Sequence, residues 1–185
     1  MRIISGTAKG RRLVAPAGDK TRPTSDKIRV SLFNILSARI DGARVLDLFG
    51  GTGAMALEAV SRGAEHAVIV DADRQAIEAI RKNALMVAGE TFAAQVDILK
   101  ADYRRAVSAW QGERFDLVFL DPPYRMSEAY AESMRLLRDH NLLAEDAVIV
   151  CERGKSVAVA YEPGFEIFDA RTYGETAVDF LRREQ

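Results

Sequence analysis

Short apolar runs alternate with amphipathic stretches through the middle of the chain. Five runs read as strands that are covered on both faces: ARVLDLF, HAVIVDAD, QVDILKAD, FDLVFLD and DAVIVCER. The stretches between them space apolar residues as a helix does, for example at Ile77, Ile80, Ala84 and Val87. Strands that alternate with helices in this way predict an α/β fold, with a parallel sheet and helices on both of its faces.

Both ends of the chain depart from this alternation. Near the C-terminus, GFEIFDARTYG and ETAVDFLRR are separated only by Gly174 and its neighbours, which predicts an antiparallel hairpin at the end of the sheet. Near the N-terminus, RIISG and RRLVA flank TAKG and predict a small β-ribbon. Thr24 or Ser25 can then cap a helix. We therefore predict a mostly parallel seven-stranded sheet, with residues 1–22 as an N-terminal arm and residues 23–185 as the main domain.

The composition is that of an ordinary globular protein. Of the 185 residues, 48% are hydrophobic and 29% are charged. No apolar run approaches the roughly 18–20 residues that span a bilayer, and no secretory signal is visible. The one cysteine, Cys151, lies inside an apolar run, where we expect a buried thiol. Together these features predict a cytoplasmic protein with no membrane partner.

No group of residues predicts a metal site. His66 and His140 are isolated, and no cluster of cysteine, histidine and acidic residues has metal-binding spacing. His140 lies near the end of a predicted helix, where a surface or capping role is expected.

The net charge of −1 conceals an asymmetry. The first 30 residues carry eight basic and two acidic side chains, a net charge of +6, so the remainder carries −7. Glycines interrupt this basic segment, and such adaptable segments follow phosphate backbones without reading the sequence. A solvated basic surface without function fits the charge alone equally well. The residues that would contact RNA are Arg2, Lys9, Arg11, Arg12 and Arg22.

A glycine-rich loop follows the first predicted strand. Asp47 ends the strand, Gly50, Gly51 and Gly53 precede the next helix, and Asp71 ends the second strand. The glycines permit a tight turn and the close approach of a ligand, and both nicotinamide enzymes and S-adenosylmethionine enzymes have such loops. A pyrophosphate at the helix N-terminus would be repelled by Asp47, whereas the ammonium group of S-adenosylmethionine would not. The loop therefore favours S-adenosylmethionine.

Two further acids are placed to contact the adenosine part of that cofactor. Asp71 can accept hydrogen bonds from both ribose hydroxyls. Asp102 ends the third predicted strand, where it can accept from the adenine amino group, cap the following helix, or do both.

The fourth predicted strand ends abruptly in FDLVFLDPPYR. The carboxylate of Asp121 and the carbonyl of Pro122 can accept the N–H bonds of an exocyclic amine, whose lone pair is otherwise delocalised into the base. The two prolines stiffen the turn, and Tyr124 provides a face on which a base can stack. This combination predicts the methylation of an amino group on a nucleobase.

These motifs resemble a known family. DPPY after the fourth strand, with D-x-F-x-G-x-G after the first, is similar to class I S-adenosylmethionine methyltransferases that modify exocyclic amines, which have a Rossmann-like fold. More narrowly, RIISGTAKGRRL, RPTSDKIRVSLFNIL, LDLFGGTGAMALEAVSRGA, FDLVFLDPPY and RTYGET resemble the RsmD family in order and spacing. These are bacterial 16S ribosomal RNA guanine-N2 methyltransferases, and the resemblance covers essentially the full length.

The resemblance implies roles for individual residues. Asp121 and Pro122 would hold the amine, Tyr124 would stack on the guanine, and Pro123 would border the substrate. Arg22 would help to close the cofactor or substrate pocket. The cofactor contacts would come from Thr24, Asp47, Phe49, Gly50, Gly51, Gly53, Asp71 and Asp102.

The chain departs from the family pattern at two positions. Val30 stands where an acid is usual, which removes any expected role of that helix position beyond packing. Gly50 stands where an alanine is usual, which we expect to add flexibility.

Other functions fit parts of the pattern. The same chemistry on adenine N6 is the nearest, although the short arm leaves little length for reading DNA sites. Glutamine methylation of a protein fits less well, because that class resembles this one with asparagine in place of Asp121. A nicotinamide oxidoreductase and a non-catalytic RNA-binding module are the remaining alternatives. The resemblance implies an assembled or partly assembled small ribosomal subunit as the substrate, and we expect the protein to be a monomer.

Overall fold

A computed structural model describes residues 1–16, 25–123 and 125–184 of the chain. The strands in this part are β1 (Arg44–Asp47), β2 (His66–Asp71), β3 (Val96–Lys100), β4 (Phe115–Leu120), β5 (Leu143–Gly154), β6 (Phe165–Tyr173) and β7 (Thr176–Arg183). The α-helices are α1 (Asp26–Ile35), α2 (Ala54–Ser61), α3 (Arg74–Ala88), α4 (Phe92–Gln95), α5 (Tyr103–Ala109) and α6 (Glu128–Asp139).

The strands form one sheet in the order β3-β2-β1-β4-β5-β7-β6. The first five strands of this order are mutually parallel, and β7 runs antiparallel to both of its neighbours. The predicted mostly parallel seven-stranded sheet with its C-terminal hairpin is thus confirmed. The strand order reverses between β1 and β4, and sheets of this kind bind ligands in the crevice beyond the carboxyl ends of the strands at such a point.

Each face of the central sheet is buried beneath helices. Val45 and Phe119 belong to a core that includes residues of α1, α2 and α3. Leu46 and Val118 belong to a second core with residues of α5 and α6. Because successive strand residues point to opposite faces, the continuously apolar runs of the sequence supply both cores. Cys151 lies in the second core as a free, buried thiol, as predicted.

The predicted cap of the first helix is present, whereas one strand starts earlier than predicted. Ser25 caps α1, since its hydroxyl accepts a hydrogen bond from Ile28 N–H at 3.3 Å. Ser127 stands at the N-cap position of α6, but in the described structure its side chain makes no capping hydrogen bond. β5 begins at Leu143, earlier than the predicted run, and its register with β4 shifts after Phe115. None of the described helices is long and apolar enough to cross a membrane.

The N-terminal segment lies directly on α2. Its predicted ribbon is reduced to one antiparallel bridge between Arg2 and Arg12. Ile3, Ala8 and Leu13 are buried in the core of the α1–α3 face. The segment therefore holds its basic side chains on a rigid support, while its division at residue 22 from the main domain remains a prediction.

Hydrogen bonds hold the backbone of this segment against the end of α2. Thr7 N–H donates to the carbonyl of Ser61 at 2.7 Å, and the Ser61 hydroxyl donates to the carbonyl of Ser5 at 2.6 Å. Ala8 N–H donates to the same hydroxyl at 2.9 Å. A Cβ atom on Gly6 would lie only 1.6 Å from the carbonyl oxygen of Ser61. The backbone of residues 5–8 thus packs against the last turn of α2 at a distance that only glycine permits.

The two glycines of the segment should differ in their tolerance of alanine. Gly6 and Gly10 both have positive φ, of 82° and 85°, but a Cβ on Gly10 would meet nothing within 4 Å. Gly10→Ala should therefore cost only the left-handed backbone strain, about 1–2 kcal/mol of unfolding free energy. Gly6→Ala should cost at least about 2 kcal/mol more, because the backbone of α2 cannot yield cheaply. Denaturant unfolding of both variants measures the difference, and equal losses would contradict this packing.

Candidate active site

Four acidic residues stand in a row along one edge of the sheet. In spatial order they are Asp71 on β2, Asp47 on β1, Asp121 after β4 and Glu152 near the end of β5. The register between β1 and β4 pairs Asp47 with Phe119, so Asp121 lies just beyond it. The topology therefore collects at the switch point three acids predicted from the sequence and one, Glu152, that was not.

The glycine loop between β1 and α2 is tightly folded. Gly50 N–H donates to the carbonyl of Val70 at 2.8 Å, and Gly53 N–H donates to the carbonyl of Gly50 at 2.6 Å. Gly51 has a φ of 55° with open space where a Cβ would stand. A Cβ on Gly50 would lie 2.5 Å from a methyl carbon of Ile69. Gly50 therefore makes room for the strand beneath it, rather than adding flexibility as expected, while Gly51 leaves its outer side open to a ligand.

Asp47 is a buried carboxyl group at the root of this loop. Its Oδ1 accepts a hydrogen bond from Phe49 N–H at 3.3 Å. Burial is the main reason why the pKa of Asp47 is raised to about 7, and the charge of Asp71 contributes to the rise. The backbone N–H groups of Phe49 and Ala56 oppose the rise. A proton therefore binds Asp47 in the neutral pH range, and a nearby cation would favour its ionised form.

The raised pKa of Asp47 predicts a pH-dependent stability. Unfolding returns this pKa of about 7 toward its ordinary value of 3.8, so between these values the folded state binds more protons than the unfolded state. The free energy of unfolding should accordingly fall as the pH rises from about 4 to 7, by at most about 1.4 kcal/mol per pH unit from this group. Asp47→Asn should remove that contribution and be the more stable protein at pH 8.

Urea unfolding of both proteins between pH 4 and 8 measures the effect. The difference in stability between wild type and Asp47→Asn isolates the contribution of Asp47 from that of other titrating groups. A difference that does not change across this range would contradict the assigned pKa.

Asp71 holds the outer part of the loop. One carboxylate oxygen accepts from Gly51 N–H at 2.8 Å, and the other accepts from Asp73 N–H at 2.8 Å. The side chain thus fixes the loop to the start of α3 while it remains half-buried. The predicted contact of Asp71 with ribose hydroxyls stays a prediction.

Asp102 caps α5. Its carboxylate accepts from Arg104 N–H at 2.9 Å, which is one of the two roles expected for it, and its contact with adenine stays a prediction. Phe49 packs at 5.2 Å from the ring of Tyr103, and the Tyr103 hydroxyl donates to Glu132 at 2.6 Å. Phe49 of the loop therefore packs against Tyr103, a ring that is itself held in place by its hydrogen bond to Glu132.

Asp121 begins the turn after β4. Solvent reaches its side chain, whereas Pro122 behind it is buried and Pro123 is exposed. The carbonyl of Pro123 accepts from Met126 N–H at 2.8 Å, which closes the turn before α6. Enclosure by surrounding protein raises the pKa of Asp121, and the charges of Glu152 and Asp47 raise it further. Because water still reaches this carboxyl group, enclosure opposes its ionisation less than complete burial would.

Several predicted site residues stand apart from this cluster or outside the described residues. Tyr124, Thr24 and Arg22 lie outside the described part of the chain. The basic residues of the N-terminal segment, Arg2, Lys9, Arg11 and Arg12, are exposed there rather than at the row of acids.

The histidines and Tyr173 have structural contacts. His66 lies 3.3 Å from Asp97, and His140 occupies the C-cap position of α6. Among the described residues no three metal-ligating side chains come together. Tyr173 packs against the core of the α1–α3 face, and its hydroxyl shares a hydrogen bond with Ser31.

Sequence reasoning missed Asn83, a fully buried residue of α3. Its side-chain amide donates to the carbonyls of Val14 and Thr52, each at 2.9 Å, and its oxygen accepts from Val14 N–H at 2.8 Å. It thereby connects the N-terminal segment to the glycine loop. The available signal was a polar residue three positions after Ile80, on the apolar face of the helix.

The fold and the row of acids at its switch point define a class I methyltransferase of Rossmann-like architecture. A family model described as Conserved hypothetical protein 95 matches residues 1–182. The chain thus belongs to that family, the RsmD family.

Known proteins are similar to this chain over nearly its full length. YlbH of Bacillus subtilis (strain 168) is 39% identical over 99% of this chain and 99% of its own. The Ribosomal RNA small subunit methyltransferase D of Escherichia coli (strain K12) is 33% identical over 100% of this chain and 90% of its own. The solved structure of the Escherichia coli methyltransferase yhhF superimposes with a TM-score of 0.85 at 29% identity, covering 100% of this chain and 98% of that one.

Proposed function

We propose that the protein transfers the methyl group of S-adenosylmethionine to the exocyclic N2 amine of a guanine in 16S ribosomal RNA of the small subunit. The observation that carries the proposal is the position of Asp121 and its two prolines next to Asp47 and the glycine loop, across the strand-order reversal. The name of the similar Escherichia coli protein supports ribosomal RNA as the substrate. The choice of guanine N2 rests on the sequence resemblance.

The residues at the switch point fit the cofactor. The open side of Gly51 allows a ligand to approach the main chain, and the buried Asp47 offers a negative charge to an ammonium group. Asp71 and Asp102 would hold the ribose and the adenine, and Phe49 would lie against the adenosine. When bound, S-adenosylmethionine supplies an electrophilic methyl group on a sulfonium.

Asp121 has two tasks in this chemistry. Its carboxylate and the carbonyl of Pro122 accept the N–H bonds of the amine, which orients the nitrogen lone pair toward the methyl group. As the N–C bond forms and the S–C bond breaks, positive charge develops on the nitrogen, and the carboxylate stabilises it. The raised pKa of Asp121 suits it to take up the proton that the product amine releases. No covalent enzyme intermediate is required.

The target base must leave its stack to reach this site. Extruded bases are read through their Watson–Crick edge and stacked on aromatic rings, a role we assign to Tyr124 with Pro123 beside it. The rigid basic segment on α2 would follow the RNA backbone. Closure of the pocket by Arg22 and Thr24 belongs to the same proposal.

A direct assay tests the proposal. Small ribosomal subunits that lack the modification are incubated with the protein and labelled S-adenosylmethionine, and the digested RNA is analysed by mass spectrometry. We expect label in N2-methylguanosine. Label in N6-methyladenosine would instead identify adenine as the substrate. The absence of any labelled nucleoside would overturn the proposal, and thermal stabilisation by NAD but not by S-adenosylhomocysteine would then favour an oxidoreductase.

Removing charge from the N-terminal segment should weaken RNA binding without affecting chemistry. Arg11→Ala with Arg12→Ala should raise the Michaelis constant for the subunit several-fold and flatten its salt dependence, because fewer counterions are released. Arg39→Ala with Arg114→Ala removes two exposed charges, one in the turn that follows α1 and one directly before β4, and serves as the matched control. Equal effects of both pairs would mean that the segment is not the RNA contact.

A further inference from the structure

Glu152 is the neighbour of Asp121 on the next strand. In the parallel pairing of β4 with β5, Leu120 stands opposite Cys151. Asp121 directly follows β4 and Glu152 is the next residue of β5, so the two are neighbours at the end of this strand pair, near the roughly 5 Å spacing of adjacent strands. Because Cys151 packs into the core of the α5–α6 face, Glu152 is directed toward the opposite face, and its charge acts on the carboxyl group of Asp121.

Asp47 is directed toward that same face, since Leu46 before it also packs into the core of the α5–α6 face. The strand order then divides the row of acids into two halves. Asp71 and Asp47 lie on the side of β2 and β1 with the glycine loop, and Asp121 and Glu152 lie on the side of β4 and β5. If the first half holds the cofactor, the second half faces the base.

Two acids side by side suit the Watson–Crick edge of guanine. This edge presents the N1–H and the N2 amine as adjacent hydrogen-bond donors, whereas adenine presents an amine beside the N1 acceptor. An ionised carboxylate can accept hydrogen bonds but cannot donate them. Asp121 takes the amine in the proposed reaction, which leaves the N1 position to its neighbour.

We propose that Glu152 accepts the N1–H of the target guanine and so selects guanine against bases that carry an acceptor at N1. This inference rests on the proposed function and names the residue that reads the base within the same site. Glu152 acts here as a specificity residue, and Asp121 remains the group that holds the reacting amine.

The surroundings of Glu152 suit this role. The hydroxyl of Tyr130 donates to the backbone carbonyl of Glu152 and fixes its strand from the α6 side. The guanidinium of Arg153 is held by Asp179 at 2.7 Å, and Asp179 lies in line with Cys151 in the register of β5 and β7. The charge of Glu152 acts on Asp121, whose pKa it helps to raise. Glu152 is half-buried, so it is both restrained and accessible.

2-Aminopurine distinguishes this role from a structural one. It keeps the N2 amine of guanine but carries an unprotonated acceptor at N1. Subunits are reconstituted with 2-aminopurine or 6-thioguanine at the guanine that the assay above identifies; 6-thioguanine keeps the N1–H and alters only position 6. The wild-type protein should methylate guanine and 6-thioguanine but disfavour 2-aminopurine by about 100-fold or more, because a site built around a donor rejects an acceptor strongly.

Glu152→Gln should narrow that preference by at least about tenfold, because its amide can donate to the N1 of 2-aminopurine. A structural role would lower both rates together and leave the ratio unchanged. Glu145→Gln, an exposed position at the start of the same strand, is the matched control and should keep the wild-type ratio. Should Glu152→Gln fail to fold, Glu152→Ala supplies the test: it removes the acceptor that faces N1, so it should slow the methylation of guanine at least tenfold more than that of 2-aminopurine and thereby narrow the preference.

The outcomes separate the two proposals. If the wild-type protein labels no guanine, the proposed function fails. If it labels guanine and Glu152→Gln, or Glu152→Ala in its place, keeps the full preference for guanine over 2-aminopurine, only the role of Glu152 is overturned.

Discussion

Replacing Asp121 with alanine should lower the rate of methyl transfer by about 1,000-fold or more, while the affinity for S-adenosylhomocysteine changes no more than a few-fold. Removal of one preorganised group that stabilises developing charge typically costs 100- to 1,000-fold in rate. Asp121 also positions the amine, so its loss adds the cost of a misplaced nucleophile. The cofactor side of the site, around Asp47 and Asp71, lies on other strands and remains intact.

Single-turnover methylation of small subunits measures the rate, and calorimetric titration with S-adenosylhomocysteine measures the affinity. Asp121→Asn keeps the shape and one acceptor oxygen but removes the charge, so it should fall between wild type and Asp121→Ala. Asp146→Ala, an exposed acid near the start of β5, serves as the control and should retain full activity. Lost cofactor binding with unchanged turnover would contradict the role of Asp121.

The central sheet could be predicted because its strands are buried on both faces. HAVIVD and FDLVFL carry apolar residues at every position that faces helices, and no other local structure explains such runs between amphipathic stretches. The C-terminal hairpin followed from the short gap around Gly174. The early start of β5 could not be predicted from the sequence. Residues 144–146 are polar or small, and the register of β5 with β4 shifts at this end of the strand.

The positions of Asp47 and Asp121 could be inferred from sequence because each directly ends an apolar run. The topology places the two runs side by side in the sheet, while the roles of these residues stay predictions. Glu152 follows an equally apolar run, AVIVC, but the register that sets it beside Asp121 is a long-range property of two strands. Asn83 was likewise hidden, since its partners Val14 and Thr52 are distant in sequence.

The N-terminal segment shows the limit of reading charge alone. Its basic residues suggested a free arm, whereas buried polar groups of α2 hold its backbone. Glu58 is fully buried, and its two carboxylate oxygens accept from Ile4 N–H at 2.7 Å and Ser5 N–H at 3.0 Å. Every residue except proline has a backbone N–H group, so the side-chain pattern of the sequence could not predict these contacts between Glu58 and the backbone.

Glu58→Ala should therefore lower the free energy of unfolding by about 3–5 kcal/mol, the cost of removing one member of a buried ion-pair network. Glu58 lies 2.7 Å from Arg62 and 3.9 Å from Arg29, whose side chain is fully buried. Within the described structure, Nε and Nη1 of Arg29 have no hydrogen-bond partner, so this guanidinium depends on the surrounding carboxylates. Without Glu58, the half-exposed Asp26 at 2.8 Å would be the only carboxylate left to balance it among the residues that the structure describes.

Denaturant unfolding of wild type, Glu58→Ala and Glu65→Ala measures this cost. Glu65 is an exposed acid that lies 3.9 Å from Arg44, and its removal should change stability by less than about 1 kcal/mol. Glu58→Gln should be intermediate, because an amide keeps one acceptor for the segment but faces Arg29 without a charge. Equal effects of Glu58→Ala and Glu65→Ala would show that the buried network contributes little.

The same substitution should also release the basic segment from α2. The two backbone amides that Glu58 accepts would lose their partner, so Lys9, Arg11 and Arg12 would no longer be held in fixed positions on the helix. Under conditions where Glu58→Ala remains folded, its Michaelis constant for the subunit should rise, while its affinity for S-adenosylhomocysteine stays close to that of wild type. Loss of cofactor affinity without any change in RNA binding would instead mean that Glu58 acts through the glycine loop at the other end of α2.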